Sequence, residues 1–478
     1  MKKVLSLLLC LALLSGLASA GAQAAGKACD CSNIPIIFVP GFDGSPLYLN
    51  YGTPQQTHVP AGAGLQTQIV PIAKDLLACA VNMDIDKGTD AVVKLLYGLF
   101  GEWQMDERGE SVKPVTTGYT FDETQDHTEN RRYWFHYDFR MVPTQSAAQL
   151  NEYIQQVKEA TGHGKVAVQF YSQGGIVAMA YLARYGAGDI EHIIITMGAH
   201  NGLTLASELF NGRIAVNGDA LANFLRNFGR NGGPMALVNP AADLFQSSGL
   251  ADLLTRVMGN LLPLMQDKIM EEALVPLLMH YPAVWSFIPG EDYRPAKETY
   301  LGDPKYSDFV KMIDSHQAKA GPDQTARLLA AAAKKTKVSI VVGYGSAPIP
   351  LTVNTAYDGD LALAAAGQSA GAVVAEVGKT LPSDYRQKVK DGHHHISPDR
   401  RVDASACVLP EQTWFVDGMV HTDIFLPALD DFVIFLADSK KQPTIFTSAE
   451  YPQFMARLPD GAFSPAVVPA SRRLTHVL

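Results

Sequence analysis

A chain of 478 residues with 39 basic and 48 acidic side chains has a net charge of −9, and that acidic balance excludes nucleic acid as an expected partner. Its length is too great for one simple core, so either one enlarged domain or a core with a substantial insertion is expected.

The chain opens with Lys2 and Lys3 ahead of an apolar run from Val4 to Leu14, followed by small residues. This is the pattern of a secretory leader, with cleavage after Ala20 or Ala24, and it predicts an exported protein, periplasmic or secreted. The run is too short to span a bilayer, and no later stretch reaches the roughly 18 apolar residues of a membrane helix. Cys10 lies inside the apolar run and leaves with the leader. The mature chain, without Lys2 and Lys3, becomes more acidic still.

Four cysteines then remain, Cys29, Cys31, Cys79 and Cys407. In an oxidising compartment they predict one or two disulfides, with the connectivity open. Cys29-Asp30-Cys31 is too tight for an easy mutual bridge. A metal site would need thiolates, or thiolates and histidines, to converge, and the chain has no paired Cys-x-x-Cys; no metal and no cofactor are expected.

Short apolar runs rich in β-branched residues predict strands at Ile34 to Val39, Lys165 to Phe170, His192 to Thr196, Val338 to Val342 and Thr413 to Val416. Helical patterns over Ser146 to Thr161 and Gly175 to Tyr185 separate the early ones, which points to an α/β fold with a mostly parallel sheet covered on both faces. Between about Leu203 and Ala333 no strand pattern appears. That stretch reads as an inserted, mainly helical cap, and Leu250 to Met279 reads as an apolar helix pair divided by Pro263. Such a pair would be buried between cap and core, or would form an acyl-binding, lipid-facing lid. Leu361 to Val377 is alanine-rich and predicts a packed helix with some loop. The expected organisation is a leader over 1–24, core over 25–204, cap over 205–333, core again over 334–446, and a surface arm over 447–478.

Val166-Ala-Val-Gln-Phe-Tyr-Ser172-Gln-Gly-Gly carries the strongest chemical signal: a buried strand, a serine followed by glycines, then a helix. A serine hydroxyl is a poor nucleophile unless a base takes its proton and nearby dipoles stabilise the oxyanion, and a strand-to-helix turn offers both. Phe170 stands where a glycine is usual, two residues before the serine. Val39-Pro-Gly-Phe-Asp-Gly-Ser45 follows the first strand, where such folds place a second oxyanion donor. The backbone N–H of Phe42 or Asp43 and that of Gln173 are the candidates.

Together these segments resemble the lecithin:cholesterol acyltransferase family of α/β-hydrolases, which includes lysosomal phospholipases and bacterial lipase-like proteins. The opening Pro-Gly loop, Tyr137-Asp-Phe-Arg140, Gly198-Ala-His-Asn-Gly202, Pro282 to Pro289 and Gly343-Tyr-Gly345 resemble family motifs in the same order, from about Pro35 to about Leu436. The resemblance implies the chain order Ser, Asp, His. Asp358-Gly359-Asp360 then occupies the place of the acid, with Asp360 preferred and Asp358 in reserve, although Leu361-Ala-Leu-Ala after it departs from the family pattern. His421 follows a short strand and precedes a helical pattern, as the family's base does, and it would be held by Asp360. His200 precedes the acid and reads as a structural histidine near the site. The run His393-His394-His395 reads as an exposed loop, because neighbouring histidines cannot all face one ion. Arg140 and Asp138 read as a structural pair.

The resulting expectation is an exported serine esterase or acyltransferase acting on a lipid ester, a phospholipid or acylglycerol, with transient contact between the cap and a membrane surface. Two alternatives are a catalytically weak or inactive hydrolase fold that binds lipid, and a peptidase with the same triad.

Overall fold

The computed structural model describes residues 29, 31, 33–63, 71–72, 74–75, 82, 84–118, 121–229 and 238–467. The leader over 1–24, Cys79 and the end of the chain beyond 467 lie outside them.

Eight strands form the central sheet: β1 (Ile36–Val39), β2 (Arg132–Trp134), β3 (Val166–Tyr171), β4 (Ile190–Thr196), β5 (Lys337–Tyr344), β6 (Thr413–Asp417), β7 (Phe454–Arg457) and β8 (Phe463–Pro465). Their order is β8-β7-β6-β5-β4-β3-β1-β2. Every neighbouring pair is parallel except β7 and β8. The protein is therefore of the α/β class. β5 lies mid-sheet and every one of its residues is buried, which is why Ile340 to Val342 at its centre are apolar on both faces rather than alternating.

Helices α1 (Ile85–Phe100), α2 (Pro143–Thr161) and α3 (Gly174–Tyr185) belong to the first half of the chain. α2 begins on a proline, whose missing N–H costs nothing at a helix start, and ends on Gly162 in the left-handed region at φ 71°. Between β4 and β5 come α4 (Thr204–Phe210), α5 (Gly218–Gly229), α6 (Val238–Ser247), α7 (Leu250–Ile269), α8 (Gly290–Tyr300), α9 (Ser307–Ala320) and α10 (Thr325–Ala332). Helix α11 (Pro427–Asp438) connects β6 to β7.

The described residues between β4 and β5 contain no strand, in line with the helical pattern. Pro263 does not divide Leu250 to Met279 into a helix pair, however. α7 runs through Pro263 and passes directly into π-helical turns over Met270–Met279. The wider turns of that second part absorb Pro276, whose ring would crowd a regular helix. The alanine-rich stretch is likewise mostly loop, with one helical turn at Ala365–Gln368 and a two-residue strand at Val373–Val374. The arm expected over 447–478 is a correction of another kind. β7 extends the sheet from β6 in parallel, with Phe454 opposite Phe415, and β8 returns beside it.

His192 on β4 is fully buried and lies between Leu436 O and Ser339 Oγ, at 2.8 and 2.9 Å from its ring nitrogens. Burial holds the ring neutral, with its pKa lowered to about 3. An unfolded histidine titrates near 6.5, so the unfolded chain takes up a proton that the folded chain refuses. Stability is therefore full above about 6.5 and is lost as pH falls toward about 3. Urea unfolding at stepped pH should show this acid loss, and His192→Gln should flatten it; an unchanged slope would contradict the assignment.

Candidate functional site

The connection order reverses beside β1: the chain passes from β1 to β2 on one side and then to β3 on the other. The carboxyl ends of β1 and β3 flank the crevice this leaves, the usual place for ligands in open α/β sheets. β1 ends in the turn Gly41 to Gly44, closed by Gly44 N–H donating to Gly41 O at 3.1 Å, with Asp43 at φ 57°.

Ser172 stands between β3 and α3 at φ 54°. A serine in that region costs about 1–3 kcal/mol, so its surroundings must impose it. They do so through the backbone: Ser172 N–H donates to Met197 O at 3.2 Å, and Ser172 O accepts from Ala199 and Gly175 at 2.8 and 2.9 Å. Phe170, two residues earlier, is buried in the same core layer as Val166, Val168 and Ile176. The closeness a glycine usually supplies at that position comes from other residues. A Cβ on Gly174 would lie 2.6 Å from Val39 O, and one on Gly41 would lie 2.6 Å from Ser172 Cβ and 2.8 Å from its Oγ. Gly41→Ala should therefore displace Ser172 and lower turnover by about 100-fold, with the melting temperature nearly kept. Wild-type turnover in that variant would contradict this packing.

His421 begins a short 3-10 turn, His421–Phe425, after β6. Its Nε2 is 2.9 Å from Ser172 Oγ and its Nδ1 is 2.8 Å from Asp360 Oδ2. Its own N–H donates to Asp360 O at 2.7 Å, and the Tyr171 hydroxyl donates to His421 O. Asp360 is fully buried, and its Oδ1 accepts from Leu363 N–H at 2.7 Å and Ala362 N–H at 3.1 Å. The segment Leu361-Ala-Leu-Ala, different from the family pattern, thus wraps the carboxylate with backbone donors. Leu361 makes the bend at φ 83°, and Gln368 pins the loop to β5 by accepting from Gly343 N–H at 3.0 Å and donating to Leu363 O at 3.0 Å.

Asp358, the reserve acid, serves another network. It accepts from Gly345 N–H and pairs with Arg401 Nη1 at 3.5 Å; Arg401 also holds Asp399 and Asp417. Burial pushes the Asp358 carboxyl up to about 6, with Arg401 pulling it back.

The N–H groups of Phe42, Asp43 and Gln173 form no hydrogen bond among the described residues. The Gln173 side chain is anchored by donating to Phe139 O at 2.7 Å, and the Phe42 ring leans on Phe139 at 4.7 Å. Ser172 and His421 open into a cavity of about 350 Å³ walled by Phe42, Phe100, Leu203, Leu209, Phe210, Leu278, Phe287 and Ile349. Among the described residues His421 is the one titratable side chain on that wall apart from Tyr171.

Sequence reasoning missed two supports. Tyr171, next to the serine, also lays its ring 5.1 Å from that of His421. Asp423 accepts from Val420 N–H at 3.0 Å and pairs with Arg457 of β7 at 2.9 Å, so the expected arm braces the His421 turn. Tyr171 had adjacency as its signal; Arg457 had none.

His200 is buried, and burial lowers its ring to about 4. The run His393-His394-His395 is not a uniformly exposed loop, because His395 is buried between Gln453 Oε1 at 2.7 Å and Asp391 Oδ2 at 2.8 Å. His393 packs instead on Phe446 at 4.6 Å. Among the described cysteines Cys29, Cys31 and Cys407, none is disulfide-bonded, contrary to the expectation.

A mostly parallel α/β sheet with serine, histidine and aspartate in one hydrogen-bonded line at its carboxyl edge can pass the serine proton to Nε2, while Nδ1 donates to the carboxylate. Comparison with family models gives no match, and comparison with curated proteins gives none. Among solved structures the chain is similar to the Tle4–Tli4 complex, with a TM-score of 0.29 and 11% identity over 65% of this chain and 75% of that chain. A likeness that low carries no argument about activity.

Proposed function

We propose that the protein is an exported serine esterase of the α/β-hydrolase type that cleaves or transfers the acyl group of a lipid ester, a phospholipid or acylglycerol. The observation that carries this reading is the Ser172–His421–Asp360 line opening onto an apolar cavity. In the proposed reaction His421 takes the Ser172 proton as Oγ attacks the ester carbonyl carbon. The N–H of Gln173 and that of Phe42 or Asp43 receive the oxyanion. Collapse breaks the bond to the alcohol, which leaves with the proton from His421 and leaves an acyl group on Ser172. Water or a second alcohol, deprotonated by His421, then takes the acyl group.

The order of the motifs supports assignment to the lecithin:cholesterol acyltransferase-like hydrolases, with residues 205–333 acting as cap over the cavity. Aromatic and leucine walls favour an acyl chain over a peptide, whose polar backbone would lose its hydrogen bonds there.

The test is an ester panel. The p-nitrophenyl esters should be turned over with kcat/KM rising from acetate toward longer acyl chains, and Ser172→Ala should remove the activity. Preference for anilides, or bound lipid with no turnover, would contradict the proposal and favour a peptidase or an inactive binding protein respectively.

A further inference from the structure

Cys29, Cys31, His127 and His163 come together at the edge of the sheet opposite Ser172, and this cluster takes no part in the chemistry proposed above. Their ligand atoms all lie within 4.8 Å of one another. Cys29 Sγ is 3.1 Å from Cys31 Sγ and 3.4 Å from His127 Nε2, and Cys31 Sγ is 3.6 Å from His127 Nε2 and 3.4 Å from His163 Nε2. The two imidazole rings stand nearly perpendicular, at 88°, with centroids 5.3 Å apart.

These separations suit one particular ligand chemistry. With Zn–S near 2.3 Å and Zn–N near 2.0–2.1 Å, the edges of a tetrahedral Cys2His2 site are about 3.8 Å for S···S, about 3.6 Å for S···N and about 3.3 Å for N···N. The sulfur–nitrogen distances fit those edges. The sulfur–sulfur distance of 3.1 Å is far beyond a disulfide bond, near 2.05 Å, and about 0.7 Å short of a zinc edge, a gap that binding a cation would open by drawing the thiolates apart. Four protein ligands would close the coordination shell, as structural zinc sites do. Two thiolates would also neutralise the divalent charge, and thiolate with imidazole is the soft donor set that prefers zinc to magnesium or calcium.

We infer that Cys29, Cys31, His127 and His163 form a structural zinc site. This inference departs from the expectation of no metal. The convergence was hidden because the thiolates are paired with two histidines about a hundred residues away rather than with a second Cys-x-x-Cys.

The site's place in the fold gives its purpose. Cys29 and Cys31 lead into β1, His127 precedes β2, and His163 lies in the turn between α2 and β3. Cys29 N–H already donates to Gly162 O at 3.0 Å in that turn. One ion would therefore tie the start of the mature chain to the amino ends of three adjacent strands, adding a cross-link to their ladder bonds. β3 runs six residues from this edge to the serine, about 20 Å at 3.3 Å per residue, so the ion would act on stability and not on the reacting atoms. Held as zinc ligands, the thiols would also be shielded from oxidation after export.

The experiment uses the full mature chain, purified in reducing buffer and desalted. Elemental analysis should find one zinc per folded chain, and cobalt(II) added after chelation should give tetrahedral d–d bands with a thiolate-to-cobalt charge-transfer band. Cys31→Ser should weaken that band and the metal content, whereas His393→Asn should leave both intact. Chelation of the wild type should lower Tm, and zinc alone should restore it. If Cys31→Ser does not fold, the cobalt spectrum of the wild-type chain decides the question. A folded, metal-free chain that gives no charge-transfer band with cobalt, or intact mass and thiol titration showing Cys29 bonded to Cys31, would overturn the inference.

Discussion

A His421→Ala variant is expected to lose about five to six orders of magnitude in kcat on the best ester substrate, since members of such a relay act as one unit and removal of the base costs nearly what removal of all three does. Ser172→Ala should fall to the same floor, and the double variant should fall no further. Asp360→Asn should cost about 10⁴. An asparagine oxygen can still accept from the Leu363 and Ala362 N–H groups, but its NH2 then faces Nδ1 and the imidazole must carry its proton on Nε2, the wrong nitrogen for accepting from Ser172. Steady-state kinetics on the three single variants and the double variant checks this, and additive losses would contradict a shared relay.

Arg140→Ala is expected to destabilise the fold by about 3–5 kcal/mol, the range for breaking a buried ion pair from one side. The Arg140 side chain is wholly buried, and all five of its N–H donors are used. Nε and one Nη2 hydrogen reach the two Asp138 oxygens at 2.9 and 2.7 Å. The others reach Trp103 O at 2.9 Å, Ser111 Oγ at 3.0 Å and Val115 O at 2.8 Å. Truncation would strand a carboxylate and three acceptors at once. Arg140→Lys should recover little, because an ammonium cannot span this planar fork. Urea unfolding should show the loss for Arg140→Ala beside an almost unchanged Ser172→Ala. Equal losses of Tm in Ser172→Ala, His421→Ala and Arg140→Ala would contradict the division between site and scaffold.

The parts of the fold that local patterning specifies were the legible ones. β1, β3, β4, β5 and β6 are buried over most of their length, so each carries a mainly apolar run, with few polar residues within it. β2, β7 and β8 lie toward the margins of the sheet, are three or four residues long and are only partly buried. In sequence they differ little from loop, and only the pairing partner makes them strands. Ser172 and His421 stood out because each follows closely on a legible strand, whereas Asp360, well beyond the end of β5, was reached through the chain order that the family resemblance implies; the structure brings all three within hydrogen-bonding distance. What surrounds them was not readable. Gln368 and Arg457 act across gaps that carry no periodic signal, Tyr171 had only its adjacency to Ser172, and the turns of the alanine-rich stretch are set by the buried Asp360 carboxylate rather than by helix propensity.

The most direct test of the central claim is covalent. A fluorophosphonate probe, which phosphonylates only a serine activated by its base, is applied to the purified mature chain and the modified peptide is mapped. The account predicts stoichiometric labelling at Ser172, abolished in His421→Ala. A folded chain that remains unlabelled, or is labelled at another serine, would contradict it.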